Sequence, residues 1–239
     1  MLVSITTPTH NRPEFLLQAL QSIQRQSFPD WEALVIDDGD GSGMQLANSL
    51  ADKRICAFQN PLKGQIKARN YALAKARGEV IAWLDDDDWW DDPKHLEKNV
   101  ALLSSQPALI YRPGWLIREL DNGARLWQVF DLPTTEQSLK KDNSLLTCGI
   151  AYPKRFHDEL GKFDLEVGGY FDWDWCLRII KAGYPLQKLQ GAGVCYRVHS
   201  SNVSQQLGNP TRINFFRHFC QKHSLELIMK NHQSLFEKG

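Results

Sequence analysis

The sequence is short of the features that would settle its class at once. It has no C-x-x-C pair, and its five cysteines, Cys56, Cys148, Cys176, Cys195 and Cys220, are widely spaced and odd in number. That argues against a disulfide framework or a zinc knuckle and for reduced, buried thiols. No apolar run approaches the ~18–20 residues needed to span a bilayer. The N-terminal stretch MLVSITTPTHNRPEF lacks the basic start and long apolar segment of a signal peptide. A cytoplasmic protein is therefore expected, with any membrane contact peripheral. Net charge is zero, so the basic surplus of a nucleic-acid binder is missing. Internal repeats, low-complexity tracts and linkers are absent too. What remains is an ordinary globular composition over 239 residues, enough for one large domain with an extension.

In the first half, short apolar runs alternate with helical patterns. Leu2–Thr6, Ala33–Ile36, Arg54–Phe58 and Val80–Leu84 read as strands. Pro13–Arg25 and Ile66–Arg77 read as helices, with Asn11 in an N-cap-like position three residues before Glu14 and Gly78 as a C-terminal glycine. Pro93 opens another helix. Such alternation predicts an α/β protein, a mostly parallel sheet with helices on both faces. The second half differs. Leu109–Leu120 and Ala124–Phe130 read as strands joined by an Asp121-Asn122-Gly123 turn. Tyr152–Leu160 and Asp172–Ala182 read as helices, Val194–Val198 as a last strand, and Thr211 onward as a helical tail with Ile213, Phe216 and Phe219 or Cys220 on one face.

Two of the strands end in acid: Asp37-Asp38, and the run Asp85, Asp86, Asp87, Asp88. Parallel sheets bind ligands at the carboxyl ends of their strands. Four adjacent carboxylates repel one another unless a cation or several donors offset them. Mg²⁺ or Mn²⁺, which take carboxylate and phosphate oxygens, would suit that place. A solvated acidic loop is the plain alternative for a bare run. The apolar strand before the run and Trp89-Trp90 after it count against that alternative.

In order and spacing, the motifs Val3-Ser4-Ile5-Thr6-Thr7-Pro8-Thr9-His10-Asn11-Arg12, Val35-Ile36-Asp37-Asp38-Gly39, Ala68-Arg69-Asn70, Leu84-Asp85-Asp86-Asp87-Asp88, Phe171-Asp172-Trp173-Asp174 and Tyr196-Arg197-Val198-His199 resemble glycosyltransferase family 2. The resemblance covers roughly residues 1–205. It implies a GT-A type, Rossmann-like domain over 1–205, with a nucleotide-binding half (1–105) and an acceptor half (106–205), then a C-terminal helical extension (206–239). It also implies an inverting, metal-dependent transfer of a sugar from a nucleotide-diphospho-sugar, a UDP-sugar by default, to a glycan or lipid-linked acceptor. Thr7, Pro8, His10 and Arg12 would line the base pocket, and Asp37 would hydrogen-bond the base. Arg69, with Lys67 as a second cation, would meet base or phosphate. Asp85 and Asp87 would form a D-x-D pair beside Asp86 and Asp88. Arg197, His199 and Ser201 would approach the diphosphate or the metal, so the candidate metal ligands are Asp85, Asp87, Asp88 and His199. Two departures stand out: His10 replaces a common aromatic, and Phe171 replaces the first acid of the later pair.

An acceptor hydroxyl needs a carboxylate to take its proton. Asp172 is the first candidate for that base and Asp174 the second, against a plain reading of helix N-terminal acids. Trp173 and Trp175 are weak candidates for an acceptor site, and Arg178 is read as structural. Other classes fit less well, among them a metal-dependent phosphatase with an aspartate nucleophile, which would carry a threonine after its acids. Nucleotidyl transfer usually carries a glycine-rich loop after the first strand, and Thr7–Arg12 holds no glycine. A non-catalytic nucleotide-sugar or glycan-binding module would not need Asp172. A homodimer is left open by the sequence.

Overall fold

The computed structural model describes residues 1–120, 122–199, 202 and 209–226. Strand residues of both parities are apolar in the first half, and each parity finds its own core. Val3, Ile5, Ala33, Val35, Val80 and Ala82 pack on one face of a central sheet, and Leu34, Ile36, Ile81 and Trp83 on the other. A sheet buried on both faces needs helices on both faces.

The strands are β1 (Val3–Thr9), β2 (Trp31–Asp37), β3 (Ile55–Gln59), β4 (Val80–Trp83), β5 (Trp89–Trp90), β6 (Leu109–Tyr111), β7 (Gly114–Glu119), β8 (Arg125–Phe130), β9 (Ala151–Pro153), β10 (Leu186–Lys188) and β11 (Val194–Val198). The helices are α1 (Pro13–Gln24), α2 (Ser42–Ser49), α3 (Gln65–Lys75), α4 (His95–Ser105), α5 (Glu136–Leu139), α6 (Phe156–Leu160), α7 (Phe171–Lys181) and α8 (Pro210–His223). Among the described residues, a seven-stranded sheet runs β10-β6-β9-β4-β1-β2-β3, parallel except where β9 pairs with β4 and β6. A smaller sheet runs β5-β11-β7-β8. The chain steps outward from β1 to β3, then returns to place β4 on the other side of β1. That reversal opens a crevice beyond the carboxyl ends of β1 and β4. The loops Thr9–Arg12 and Asp85–Asp88 occupy it. Among the described residues no helix is long and apolar enough to cross a membrane.

Several local expectations need correction. Leu109–Leu120 is two strands in two sheets. Pro113 lacks an N–H, and at Gly114 a Cβ would fall 2.3 Å from the Val194 carbonyl oxygen, so the chain leaves one sheet there and enters the other. Ala151–Pro153 is a strand, and helix begins only at Phe156, because Tyr152 is drawn into the core, where its hydroxyl accepts from Trp83 Nε1 at 3.0 Å. Ile213 is 38% exposed, whereas Phe216, Phe219 and Cys220 are buried. Asn11 does not cap α1. It has a φ of 54°, and its Oδ1 accepts from the Asp40 N–H at 2.8 Å, joining the β1 and β2 loops. Of the expected tail, 206–208 and 227–239 lie outside the described residues, as does Ser201.

Gly78 is not a helix cap either, since α3 ends at Ala76 in extended conformation. A Cβ at Gly78 would sit 2.6 Å from the Ser4 nitrogen and 2.7 Å from the Leu2 oxygen. Both are backbone atoms of β1 or its approach and cannot swing aside. Gly78→Ala is therefore expected to cost about 1–3 kcal/mol as an overpacked site, read as a lowered urea midpoint with an unchanged m-value. An unchanged midpoint would mean that β1 and β4 can part without cost.

Candidate active site

The run after β4 splits by direction. Asp86 turns inward, accepts from Thr9 Oγ1 at 2.7 Å and pairs with Arg12 at 2.6 Å. Burial, then the charge of Asp87, pushes its carboxyl up to about 7. Asp85, Asp87 and Asp88 instead converge, with an oxygen of each within 4.8 Å of the others. Asp87 is paired with Arg12 at 2.7 Å and His199 Nε2 at 2.9 Å. Burial works against its charge, but the His199 hydrogen bond and Arg12 hold it below the usual carboxylate range. Asp88 is buried; its Oδ1 accepts from the Arg197 N–H at 2.9 Å. Beyond the neighbouring Cys148 thiol, its Oδ2 has no donor. Burial and the charges of Asp87 and Asp85 raise Asp88 well above the ordinary value. Three converging oxygen ligands, one of them buried without a full complement of donors, fit a hard divalent cation.

The walls of this cluster come from distant segments. Arg197 donates from Nε to the Asp87 carbonyl at 3.0 Å and lies between the rings of Phe15, at 4.3 Å, and Trp89, at 4.9 Å. It thus fixes the backbone of the acidic run. Phe15 also packs against His199, at 5.6 Å. Trp89 and Trp90 form β5 against β11. Arg69 is fully buried, pairs with Asp85 and stacks over Phe171 at 4.3 Å, while its Nε and Nη1 have no hydrogen-bond partner. Arg69 therefore joins the acidic cluster to the first turn of α7.

Asp172 lies on that first turn. Its Oδ1 accepts from the Trp173 N–H at 2.8 Å, and its Oδ2 from Asn143 Nδ2 at 3.0 Å and Thr147 Oγ1 at 3.3 Å. Burial raises its carboxyl despite those donors and the charge of Arg69. A half-buried carboxyl whose proton affinity is lifted can accept a proton. Asp174 is engaged differently. Fully buried, it receives Arg178 Nε at 2.9 Å, Lys222 Nζ at 2.8 Å and His223 Nε2 at 2.8 Å. Trp173 and Trp175 are core rather than an acceptor platform: Trp173 Nε1 donates to the Leu139 carbonyl, and Trp175 stacks on His157 at 3.9 Å.

The remaining candidates line β1, β2 and α3. Thr7 and Pro8 are buried in β1, and Thr7 Oγ1 has no partner. His10 is exposed and its Nδ1 donates to the Asp38 carbonyl at 3.1 Å. Both oxygens of the Asp37 carboxylate are occupied by the N–H groups of Gly39 and Met44, at 2.8 and 2.9 Å, so Asp37 shapes the loop that enters α2. Lys67 is exposed on the first turn of α3. Thr9, Phe15, Asn143 and Thr147 were not singled out from the sequence. Asn143 and Thr147 stand 29 and 25 residues from Asp172, in a stretch with no periodic signal.

Both the sequence and the fold have counterparts among known proteins. The sequence model of Glycosyl transferase family 2 matches residues 4–156. The uncharacterized glycosyltransferase YwdF of Bacillus subtilis is 30% identical over 100% of this chain and 90% of its own. The UDP-Glc:alpha-D-GlcNAc-diphosphoundecaprenol beta-1,3-glucosyltransferase WfaP of Escherichia coli is 26% identical over 85% of this chain and 80% of its own. Among solved structures, S. aureus TarS 1-349 in complex with UDP-GlcNAc superposes with a TM-score of 0.71 at 17% identity, covering 93% of this chain and 66% of that one.

Proposed function

The chain belongs to glycosyltransferase family 2, and from that premise we propose that it transfers a sugar from a UDP-sugar to a hydroxyl of a lipid-linked or polysaccharide acceptor, with inversion at the anomeric carbon. The convergence of Asp85, Asp87 and Asp88 at the mouth of β4, apart from a separate half-buried carboxylate at Asp172, carries this reading. It separates a place for a cation and diphosphate from a place for a base. A related transferase named for UDP-glucose and a diphosphoundecaprenol acceptor, and a solved neighbour holding UDP-GlcNAc, support the choice of donor and acceptor class.

Asp85, Asp87 and Asp88 would hold Mn²⁺ or Mg²⁺, which when bound offsets the charge growing on the leaving diphosphate. His199 and Arg12 hold Asp87 in place for it. Thr7, Pro8 and His10 would line the base. Asp172 takes the proton of the acceptor hydroxyl as that oxygen attacks opposite the departing nucleoside diphosphate, and no covalent sugar–enzyme bond is needed.

Thermal unfolding with UDP, GDP, CDP, ADP and TDP, each with and without Mn²⁺, tests the donor site. A ligand that binds only the folded state at 100 times its Kd stabilises by about 2.7 kcal/mol. UDP is expected to raise the midpoint only with Mn²⁺ present, and the other bases much less. A larger shift with another base would transfer the assignment to that donor. No shift with any nucleotide would remove the diphosphate site from this crevice.

A further inference from the structure

The extension after the transferase core docks where it can act on the chemistry. α7 begins without a side-chain cap at Tyr170. Tyr170 and Trp173, on either side of Asp172, both pack on α8. Tyr170 packs on Phe216 at 5.0 Å and Phe219 at 5.7 Å, and its hydroxyl accepts from Arg212 Nε at 3.0 Å. Trp173 lies on Phe219 at 4.6 Å. Gly168, at φ 54°, faces the Phe215 ring so closely that a Cβ would fall 2.2 Å from it. Asp174, one residue past Trp173, takes Lys222 and His223 on a single oxygen. Lys222 also reaches Asp164 at 2.6 Å, at the start of the turn that leads into α7.

The geometry points to α8 as a positioning element of the catalytic site: His223 and Lys222, clamped on Asp174, set the angle at which α7 presents Asp172 to the acceptor. This inference rests on Asp172 being the base. The clamp lies outside the donor site: among the described residues, the ion pairs of Lys222 and His223 run to Asp164 and Asp174 and none to Asp85–Asp88. Loss of the clamp should therefore slow the chemical step and spare donor binding. Asp172 also accepts from Asn143 and Thr147, which lie on neither α7 nor α8. A tilt of α7 would move the carboxylate relative to both, and a misplacement near 1 Å can cost roughly 100-fold in rate.

The test uses the full chain and steady-state kinetics well below the unfolding midpoint of each variant. His223→Ala is expected to lower kcat about 10- to 100-fold with donor KM and the Mn²⁺-dependent UDP shift retained. His223→Gln, which keeps a donor toward Asp174, is expected to recover most of that loss. Lys222→Met should lower kcat in the same sense. A merely structural role would lower the midpoint while leaving kcat of the folded enzyme alone. If kcat stays within about two-fold of the parent in both His223→Ala and Lys222→Met, the inference is overturned. Should His223→Ala not fold, Lys222→Met and Arg212→Met decide by the same division of kcat from KM. Full turnover in Asp172→Asn would instead strike the base itself; a dead Asp172→Asn beside normal His223 and Lys222 variants would strike only the clamp.

Discussion

Asp172→Asn is expected to reduce kcat about 10²–10⁴-fold, the usual worth of a positioned general base, while UDP with Mn²⁺ still raises the unfolding midpoint as in the parent. The substitution keeps the shape of the side chain. Asparagine can still accept from the Trp173 N–H, and the amide of Asn143 can turn to meet the new NH₂ group, so the fold should survive. What disappears is the basic oxygen. The pH dependence supplies an independent check. Burial pushes the Asp172 carboxyl above the ordinary carboxylate range, against the pull of the Trp173 N–H, Asn143, Arg69 and Thr147. In the proposed mechanism the ionised form is the active one, so kcat/KM should rise with pH through that raised value. The acid limb should thus lie at higher pH than a free carboxylate would give. Stability runs the other way. A folded-state value raised above the unfolded one contributes stability that is present at low pH and lost as pH rises through the folded value. Activity and the Asp172 contribution to stability should therefore trend in opposite directions over the same window. Near-normal turnover in Asp172→Asn, or an acid limb unmoved in its residual activity, would take Asp172 out of the mechanism.

Much of this could be read before any coordinates, and the reasons are local. β1, β2 and β4 are short apolar runs closed by acid or turn residues, and α1, α3 and α7 carry apolar residues at helical spacing. Their alternation fixes a parallel sheet, and a parallel sheet fixes where ligands enter. What stayed hidden depends on contacts across long separations. Nothing in four consecutive aspartates says that Asp86 turns inward while Asp85, Asp87 and Asp88 converge. That choice is made by Thr9 and Arg12 on one side and by Arg197 and His199 on the other. Asp37 and Asp38 look alike in sequence. Yet Asp37 organises the entry to α2, and Asp38 binds Asn60 Nδ2 at 2.7 Å and the Gly64 N–H at 3.0 Å. Trp173 and Trp175 were ambiguous because an aromatic on a helix serves a core or a sugar equally well until its neighbours are known. Leu109–Leu120 read as one strand because apolar character continues across the residues where the backbone changes sheets.

The division within the acidic run leads to the second large expected effect. Asp87→Ala should abolish the Mn²⁺-dependent shift with UDP and lower kcat/KM by more than the 10–100-fold that changes to groups merely supporting a metal ligand cost. Asp86→Asn should leave the shift in place. The two residues are adjacent in sequence, both buried, and both paired with Arg12, so general damage to the loop would affect them alike. Their directions differ. Asp87 shares its position with Asp85 and Asp88, whereas Asp86 faces Thr9. Removing Asp87 would take away one of the three proposed oxygen ligands and leave Arg12 and His199 without their common carboxylate, so the proposed cation site would lose negative charge. Removing the charge of Asp86 costs less, because burial and Asp87 already favour its protonated form and asparagine can still accept from Thr9. Titration of Mn²⁺ in the presence of UDP, followed by thermal unfolding, separates the two variants without any need for the acceptor. A retained shift in Asp87→Ala with a lost shift in Asp86→Asn would reverse the assignment and place the cation on the Thr9 side of the loop. Loss in both would point to collapse of the loop, which the unfolding midpoints without ligand would reveal directly.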